Sequence, residues 1–317
     1  MSTIRHQRAI YYPADLTEDG SMAIPKPFAE LYTHMFIEDV SLGIMPIGGR
    51  SSRSDFKVTT LAQQQGVEAM IVSAISRENV REGLASGLSE CFRMIASEVC
   101  AFDRATYEIA YFEDSVSKTL TGFELIFVPE SQIRRKQKQI YQYVPRSVAR
   151  QRKVSELICL TEQDLLVFAA PEEYRRALRN IRSNLSRLSG HPLSMLAMES
   201  AKGNILYEFN THERSMNLAL AEAAKPFGWI ARGTFTGEVL SYFWIRMELM
   251  FAKFKIQLRD ALLNTLNRGL VQAGRKIGFS EQISIDGLPT ISEVDEALEL
   301  LETGAKPFVD IMKPFQL

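Results

Sequence analysis

Residues 239–273 restrict the fold of this chain more than any other stretch. Tyr242, Phe243, Trp244, Ile245, Met247, Leu249, Met250, Phe251, Phe254, Ile256, Leu258, Leu262, Leu263, Leu266 and Leu270 fall there, and they cover far more than one stripe of a helix. Arg246, Lys253, Arg259 and Arg268 leave only a thin polar seam. A helix of roughly 35 residues rises about 50 Å, longer than a typical single-domain core. Its apolar faces therefore need burial on several sides, by its own domain alone or by neighbouring subunits as well.

The rest of the composition is that of a globular protein. The chain has 317 residues, of which 46% are hydrophobic, and only three are cysteines, which excludes disordered, collagen-like and disulfide-scaffold classes. Its length fits two domains or one large one. Lys and Arg number 37 against 38 Asp and Glu, so the total charge offers no simple argument for nucleic-acid binding. Cys91, Cys100 and Cys159 lack CxxC spacing. The first two fall on one expected helix, about 13 Å of rise apart, too far for a bridge. They read as small buried apolar residues in a reduced, cytosolic setting. Residues 1–9 lack an apolar core and no run approaches about 18 apolar residues, so neither a signal peptide nor a membrane span is expected.

Periodicity predicts an α+β fold, rich in helix, with a central β-rich portion at about 103–170. Residues 1–57, punctuated by prolines and by the cluster at 48–52, read as an arm and loops around one short helix near 27–38. Helical spacing follows over 58–75 (Leu61, Val67, Met70, Ile71) and 78–101 (Val80, Leu84, Leu88, Phe92, Ile95, Val99). Strands are expected at 106–111, 123–128, 139–144, 157–160 and 165–168, where β-branched and aromatic residues concentrate. A helix through Leu178, Ile181, Leu185 and Leu188 stops at Gly190. A strand at 204–209, a helix at 213–226, a glycine-rich turn at 228–237 and the long helix complete the body. The remainder, 274–317, is an acidic tail with an extended stretch at 283–285 and one helix, capped by Ser292 and ended by Gly304.

Catalytic signatures are sparse. No GxxxxGK[ST], HExxH, GxSxG or EF-hand pattern occurs, and the loop at 43–49 lacks the lysine of a phosphate loop. His6, His34, His191 and His212 are scattered without an i,i+4 pair, so a metal site is not expected; no cofactor is predicted either. Glu98, Asp103, Glu108, Glu113 and Asp114 flank a helix-to-strand junction, where solvated carboxylates are also common. The informative pattern is charge segregation. Arg134, Arg135, Lys136, Lys138, Arg146, Arg150, Arg152, Lys153, Arg175, Arg176, Arg179, Arg182 and Arg187 face only five acids over 134–187, a local excess of eight positive charges. The final 37 residues carry eight acids against Lys306 and Lys313. The basic run, interleaved with Tyr141 and Tyr143, suits phosphate contact. It equally suits pairing with the acidic tail of the same or a neighbouring subunit, in a head-to-tail contact.

The order of elements over 58–273 resembles phage portal (connector) proteins, particularly the Mu-like kind. Residues 102–111 read FDRATYEIAY, similar to the helix end and "yEI" strand of portals. The stretches 123–129 (FELIFVP), 140–145 (IYQYVP) and 160–168 (LTEQDLLVF) resemble the succeeding portal strands. The stretch 220–229 (LAEAAKPFGW), followed by the long helix, is similar to a helix, a Phe-Gly turn and a long wing helix. Only about 35 residues stand where portals insert a stem and clip, so a compact form is implied. The resemblance implies a homo-oligomeric ring at a capsid vertex, through which a terminase drives double-stranded DNA, with no active site of its own. It also implies terminase and capsid proteins as partners, with a cytoplasmic location during assembly and the virion thereafter. The basic residues would then make inter-subunit or DNA contacts. Two other classes fit the residues: a soluble DNA- or protein-binding regulator using the basic run, and an enzyme whose site lies in no local motif.

Overall fold

The computed structural model describes residues 3–10, 12, 31–45, 56–76, 83–137, 139–189, 219–220, 222–230 and 241–315. The fold is α+β, and strands crowd the 103–170 region as its patterning predicts. Two compact units share the chain: the first comprises Met1–Pro25, Ile44–Ala170 and Leu258–Leu288, the second Lys26–Gly43, Pro171–Gln257 and Pro289–Leu317.

In the first unit, strand β1 (Thr3–His6) opens the chain, and β2 (Lys57–Thr60) precedes helices α2 (Val67–Ile75) and α3 (Gly83–Phe102). Helix α1 (Leu31–Leu42) belongs to the second unit. α3 buries Leu84, Leu88, Cys91, Phe92, Ile95, Val99 and Cys100, the stripe that the 3- and 4-residue spacing predicts, so both cysteines serve as core residues. Cys159 is exposed. Strand β3 (Arg104–Asp114) is buried from Ala105 to Tyr111, so both its faces are covered. It pairs antiparallel with β4 (Leu120–Val128) through a hairpin whose turn is held by Asp114, whose carboxylate accepts from the N–H groups of Val116 and Ser117 at 2.8 Å. A three-stranded antiparallel sheet follows, from β5 (Ile133–Lys136), β6 (Gln139–Tyr143) and β7 (Leu157–Leu160), with helix α4 (Arg146–Arg152) inserted before β7. β8 (Leu165–Ala169) returns to β3.

The helix expected over 58–75 begins only at Val67. Lys57–Thr60 is instead a strand, paired antiparallel with β9 (Ile283–Asp286). Val58, Thr59 and Thr60 are β-branched and a partner ladder is at hand, whereas Leu61, counted in the helical period, is 63% exposed. Two residues weld this small sheet to its neighbours. The buried carboxylate of Glu281 accepts from the N–H groups of Ala62 at 2.9 Å and Gln64 at 2.6 Å. The amide of Asn267 both donates to Ile283 O at 3.0 Å and accepts from Ile283 N at 2.8 Å.

The second unit is built around aromatic packing. α5 (Glu172–Ser189) packs on α1. The long helix α6 (Ser241–Ile277) gives its first half to this unit and its second half to the first. Within the second unit two sides of α6 are buried. Ile245, Leu249, Ala252 and Ile256 pack with α7 (Ile291–Thr303) and α8 (Phe308–Met312). On the other side Phe254 meets Phe36, Tyr174 and Phe227 with ring centroids 4.8–6.5 Å apart, and Trp229 packs edge-on to Phe36 while donating from Nε1 to Asp39 at 2.9 Å. The several-sided burial required by the sequence is thus met inside one chain, although Tyr242 and Phe243 stay exposed at its first turn.

Other differences are local. The short N-terminal helix, Leu31–Leu42, runs past the expected end at 38, and 27–30 lie outside the described residues. α7 is capped by Thr290, not Ser292: Thr290 Oγ1 accepts from Glu293 N, and the Glu293 carboxylate accepts from Thr290 N at 2.7 Å, a complete capping box. Gly304 ends it with φ of 66°, as expected. β5 and α4 went unforeseen, because a run of arginines and lysines masks the secondary structure beneath it. The strand expected at 204–209 lies outside the described residues, as do most of the 213–226 helix and the 231–237 part of the turn.

Gly228 is the tightest point of the second unit. Its φ is +71°, and a Cβ there would lie 2.2 Å from the carbonyl oxygen of Met247 and 2.9 Å from the nitrogen of Phe251, both on α6. Gly228→Ala therefore strains the backbone and pushes the Phe227–Trp229 turn off the helix. We expect a loss of at least about 2 kcal/mol in denaturant unfolding.

Candidate functional site

Strand pairing in the first unit leaves a notch. Residues 106–108 of β3 pair with both β4 and β8, and residues 111–113 pair with both β4 and β1, so β1 and β8 share the edge opposite β4. Along that edge Ile109 and Ala110 have no strand partner. The chain leaving β1 crosses here, and side chains rather than a ladder satisfy its backbone. Glu108, 3% exposed, accepts from Arg8 N at 3.0 Å and from Ala9 N at 2.7 Å. Gln142 on β6 accepts from Ile10 N at 2.8 Å and donates to Ile10 O at 2.7 Å, and Gln132 donates to Tyr12 O at 3.3 Å. Ala9 is buried with Ala110, Ile126 and Leu160, and Tyr12 with Val144 and Ala149. The N-terminal arm is thus clamped into the unit by buried polar groups, each with a backbone partner.

A cavity of about 370 Å³ occupies the notch, bordered by His6, Arg8, Glu108, Tyr111, Asp164 and Lys276. Lys276, near the end of α6, places its ammonium 2.6 Å from Asp164 and 4.3 Å above the Tyr111 ring. Burial works against that charge, but the hydrogen bond to Asp164 and the attraction of Asp164 and Tyr111 together hold the ammonium above the usual lysine range. Lys276 is therefore a fixed cation. Burial pushes the Tyr111 phenol up, and the Lys276 ammonium beside it acts in the opposite direction. Burial also pushes the Glu108 carboxyl up, against the opposing effect of the Ala9 and Arg8 amides. Glu108 is thus held by the arm and Lys276 by Asp164.

The basic residues singled out in the sequence divide between the two units. Arg134, Arg135 and Lys136 lie exposed on β5, an outer strand of its sheet, and Arg146, Arg150, Arg152 and Lys153 on or just after α4; all are in the first unit. Arg135 pairs with Glu130, Arg146 with Glu156 at 3.2 Å, and the Arg134 guanidinium stacks 5.6 Å from the Tyr143 ring centroid. Arg175, Arg176, Arg179 and Arg182 lie on α5 in the second unit, Arg175 paired with Glu172. Lys138 lies outside the described residues, as does the Arg187 side chain. The tail is divided too: Glu281 and Asp286 belong to the first unit, while Asp295, Glu296, Glu299 and Glu302 lie exposed on α7 in the second.

The notch residues Arg8, Asp164 and Lys276 carried no sequence signal. Glu108 did carry one: a carboxylate inside the otherwise apolar run of β3 needs a buried partner. Among the described residues no group of three or more His, Cys, Asp or Glu side chains is arranged to hold a metal, and no helix is long and apolar enough to cross a membrane. No protein-family model matches the chain, and no curated protein matches it.

Glu108→Ala strands the buried N–H of Ala9 and the part-buried N–H of Arg8 and is expected to cost about 1–3 kcal/mol. Glu108→Gln retains an acceptor and removes the titration. Because the folded-state pKa is raised, the contribution of Glu108 to stability is complete in acid and is lost as pH rises through that value. The stability of the native chain relative to Glu108→Gln should therefore fall in urea unfolding as pH rises above the ordinary glutamate range.

Proposed function

We propose that this chain is a structural, self-associating protein of the portal type, a ring component forming a DNA passage at a capsid vertex, and that it works as a scaffold without catalysis of its own. The observation that carries the reading is the separation of exposed charge. The first unit presents cations on β5 and α4, and the second presents the carboxylates of Glu296, Glu299 and Glu302 on one side of α7, where Asp295 is already paired with Lys253 at 2.6 Å. Opposite patches at different places on one chain are what a heterologous contact between identical subunits requires, and repetition of such a contact closes a ring when the rotation allows. The α+β fold and the long helix after the Phe227-Gly228-Trp229 turn agree with the resemblance in element order. Terminase, capsid proteins and DNA are the partners this reading implies, in the cytoplasm during assembly and later in the virion.

A second reading, a duplex-binding regulator, draws on the same cations: Arg134, Lys136, Arg150, Arg152 and Lys153 are exposed in the first unit. Light scattering and negative-stain microscopy of the purified chain separate the two. The portal reading expects closed rings that Glu296→Lys with Glu299→Lys dissociates; a monomer or dimer at every salt concentration rules it out. The regulator expects duplex binding that weakens steeply with salt and is lost with Arg134→Glu and Lys136→Glu in a gel-shift assay.

A further inference from the structure

Beside the notch a second concavity, a groove of about 770 Å³, runs along the C-terminal half of α6. Asn264, Arg268, Gln272 and Arg275 recur there at helical spacing, joined by Lys276, and the turn before β8 forms part of the facing wall. Cations at the end of a helix commonly serve its last carbonyls. Here the backbone already does so: Gly278 N donates to Gly274 O at 2.7 Å and Phe279 N to the same oxygen at 3.1 Å, with Gly278 at φ of +100°. The side chains of Arg268 and Arg275 are exposed along the groove. Arg268 has a neutral hydrogen-bond partner, Thr265 Oγ1 at 2.9 Å, which uses one of its five N–H donors. Of the three cations of the lining Lys276 is paired with Asp164 of the adjoining notch, which leaves Arg268 and Arg275 against one carboxylate, Glu162, among the described residues.

We propose that this groove binds a phosphate-bearing ligand, with Arg268 and Arg275 as the phosphate contacts and Lys276 as a fixed charge beside them. Three lines of argument lead there. Arg guanidinium forks match phosphate oxygens in pairs. The amides of Asn264 and Gln272 offer donors and acceptors to the rest of a polar ligand, and Val271 is the sole aliphatic side chain of the lining. The volume falls within the range of small-molecule sites, about 300–1,000 Å³, enough for a nucleotide. The same chemistry is presented by a free nucleotide and by a nucleic-acid backbone.

Binding of pyrophosphate, ADP and a short random-sequence DNA duplex to the full chain, measured by calorimetry and fluorescence anisotropy at low salt, tests this. Arg268→Gln and Arg275→Gln should each weaken binding by about tenfold or more, with Arg→Lys at either position giving an intermediate loss. Arg93→Gln on α3, exposed and outside the groove, should leave ADP and pyrophosphate binding unchanged. Circular dichroism melting of each variant checks that the exposed substitutions leave the fold intact. Arg-dependent binding of ADP or pyrophosphate identifies a small-molecule site; Arg-dependent binding of the duplex alone identifies a backbone contact. No binding of any probe, or binding indifferent to both arginines, overturns the proposal. None of these outcomes depends on whether the chain self-associates.

Discussion

The double membership of α6 governs this structure. Its first half must satisfy two apolar sides at once, Ile245, Leu249, Ala252 and Ile256 toward α7 and α8, and Met247, Phe251 and Phe254 toward the Phe227–Trp229 turn. Its second half then supplies Leu258, Leu262, Leu266, Leu270 and Ala273 to a different core. The close approach at Gly228 follows from the first demand, because a turn bearing two large aromatics reaches the helix only if its backbone nearly touches the Met247 carbonyl. Gly269 meets the same need in the other unit, where a Cβ would lie 2.4 Å from a methyl of Leu166 on β8. At both places the absence of a side chain sets the packing distance.

The first unit shows how a terminus becomes structural. β3 is buried on both faces, and one of its edges must serve both β1 and β8. Two strands abutting on one edge leave unpaired backbone between them, and unpaired backbone in a buried place is costly. Glu108, Gln132 and Gln142 answer that cost with side-chain oxygens and amides, which bind the arm through its backbone whatever its side chains. The carboxylate that makes the clamp also borders the notch. Lys276 borders both the notch and the neighbouring groove.

The near balance of 37 basic and 38 acidic residues conceals an uneven distribution. The basic run at 134–187 is contiguous in sequence but crosses the boundary between the units near Ala170, and the acidic tail crosses back near Leu288. Each unit thus holds part of each charge. The exposed cations on β5 and α4 belong to the first unit and the exposed carboxylates on α7 to the second.

The α+β class, α3 with its buried stripe, the β3–β4 hairpin, α5 and the long helix were all legible in the sequence, because each has enough residues for its periodicity to show. Short elements were not. Lys57–Thr60 reads equally as a helical start until β9 supplies a ladder more than 200 residues away, and β5 is hidden in a basic run whose side chains carry no periodic apolar signal. The notch and groove were illegible for the same reason: Arg8, Glu108, Asp164 and Lys276 lie in separate segments, and nothing local ties them together. Period and composition act along the chain, so by itself the sequence determined which segments are helix and which are strand. Burial, edge pairing and the meeting of distant charges act across it, and only the tertiary structure decided where this protein keeps its cations.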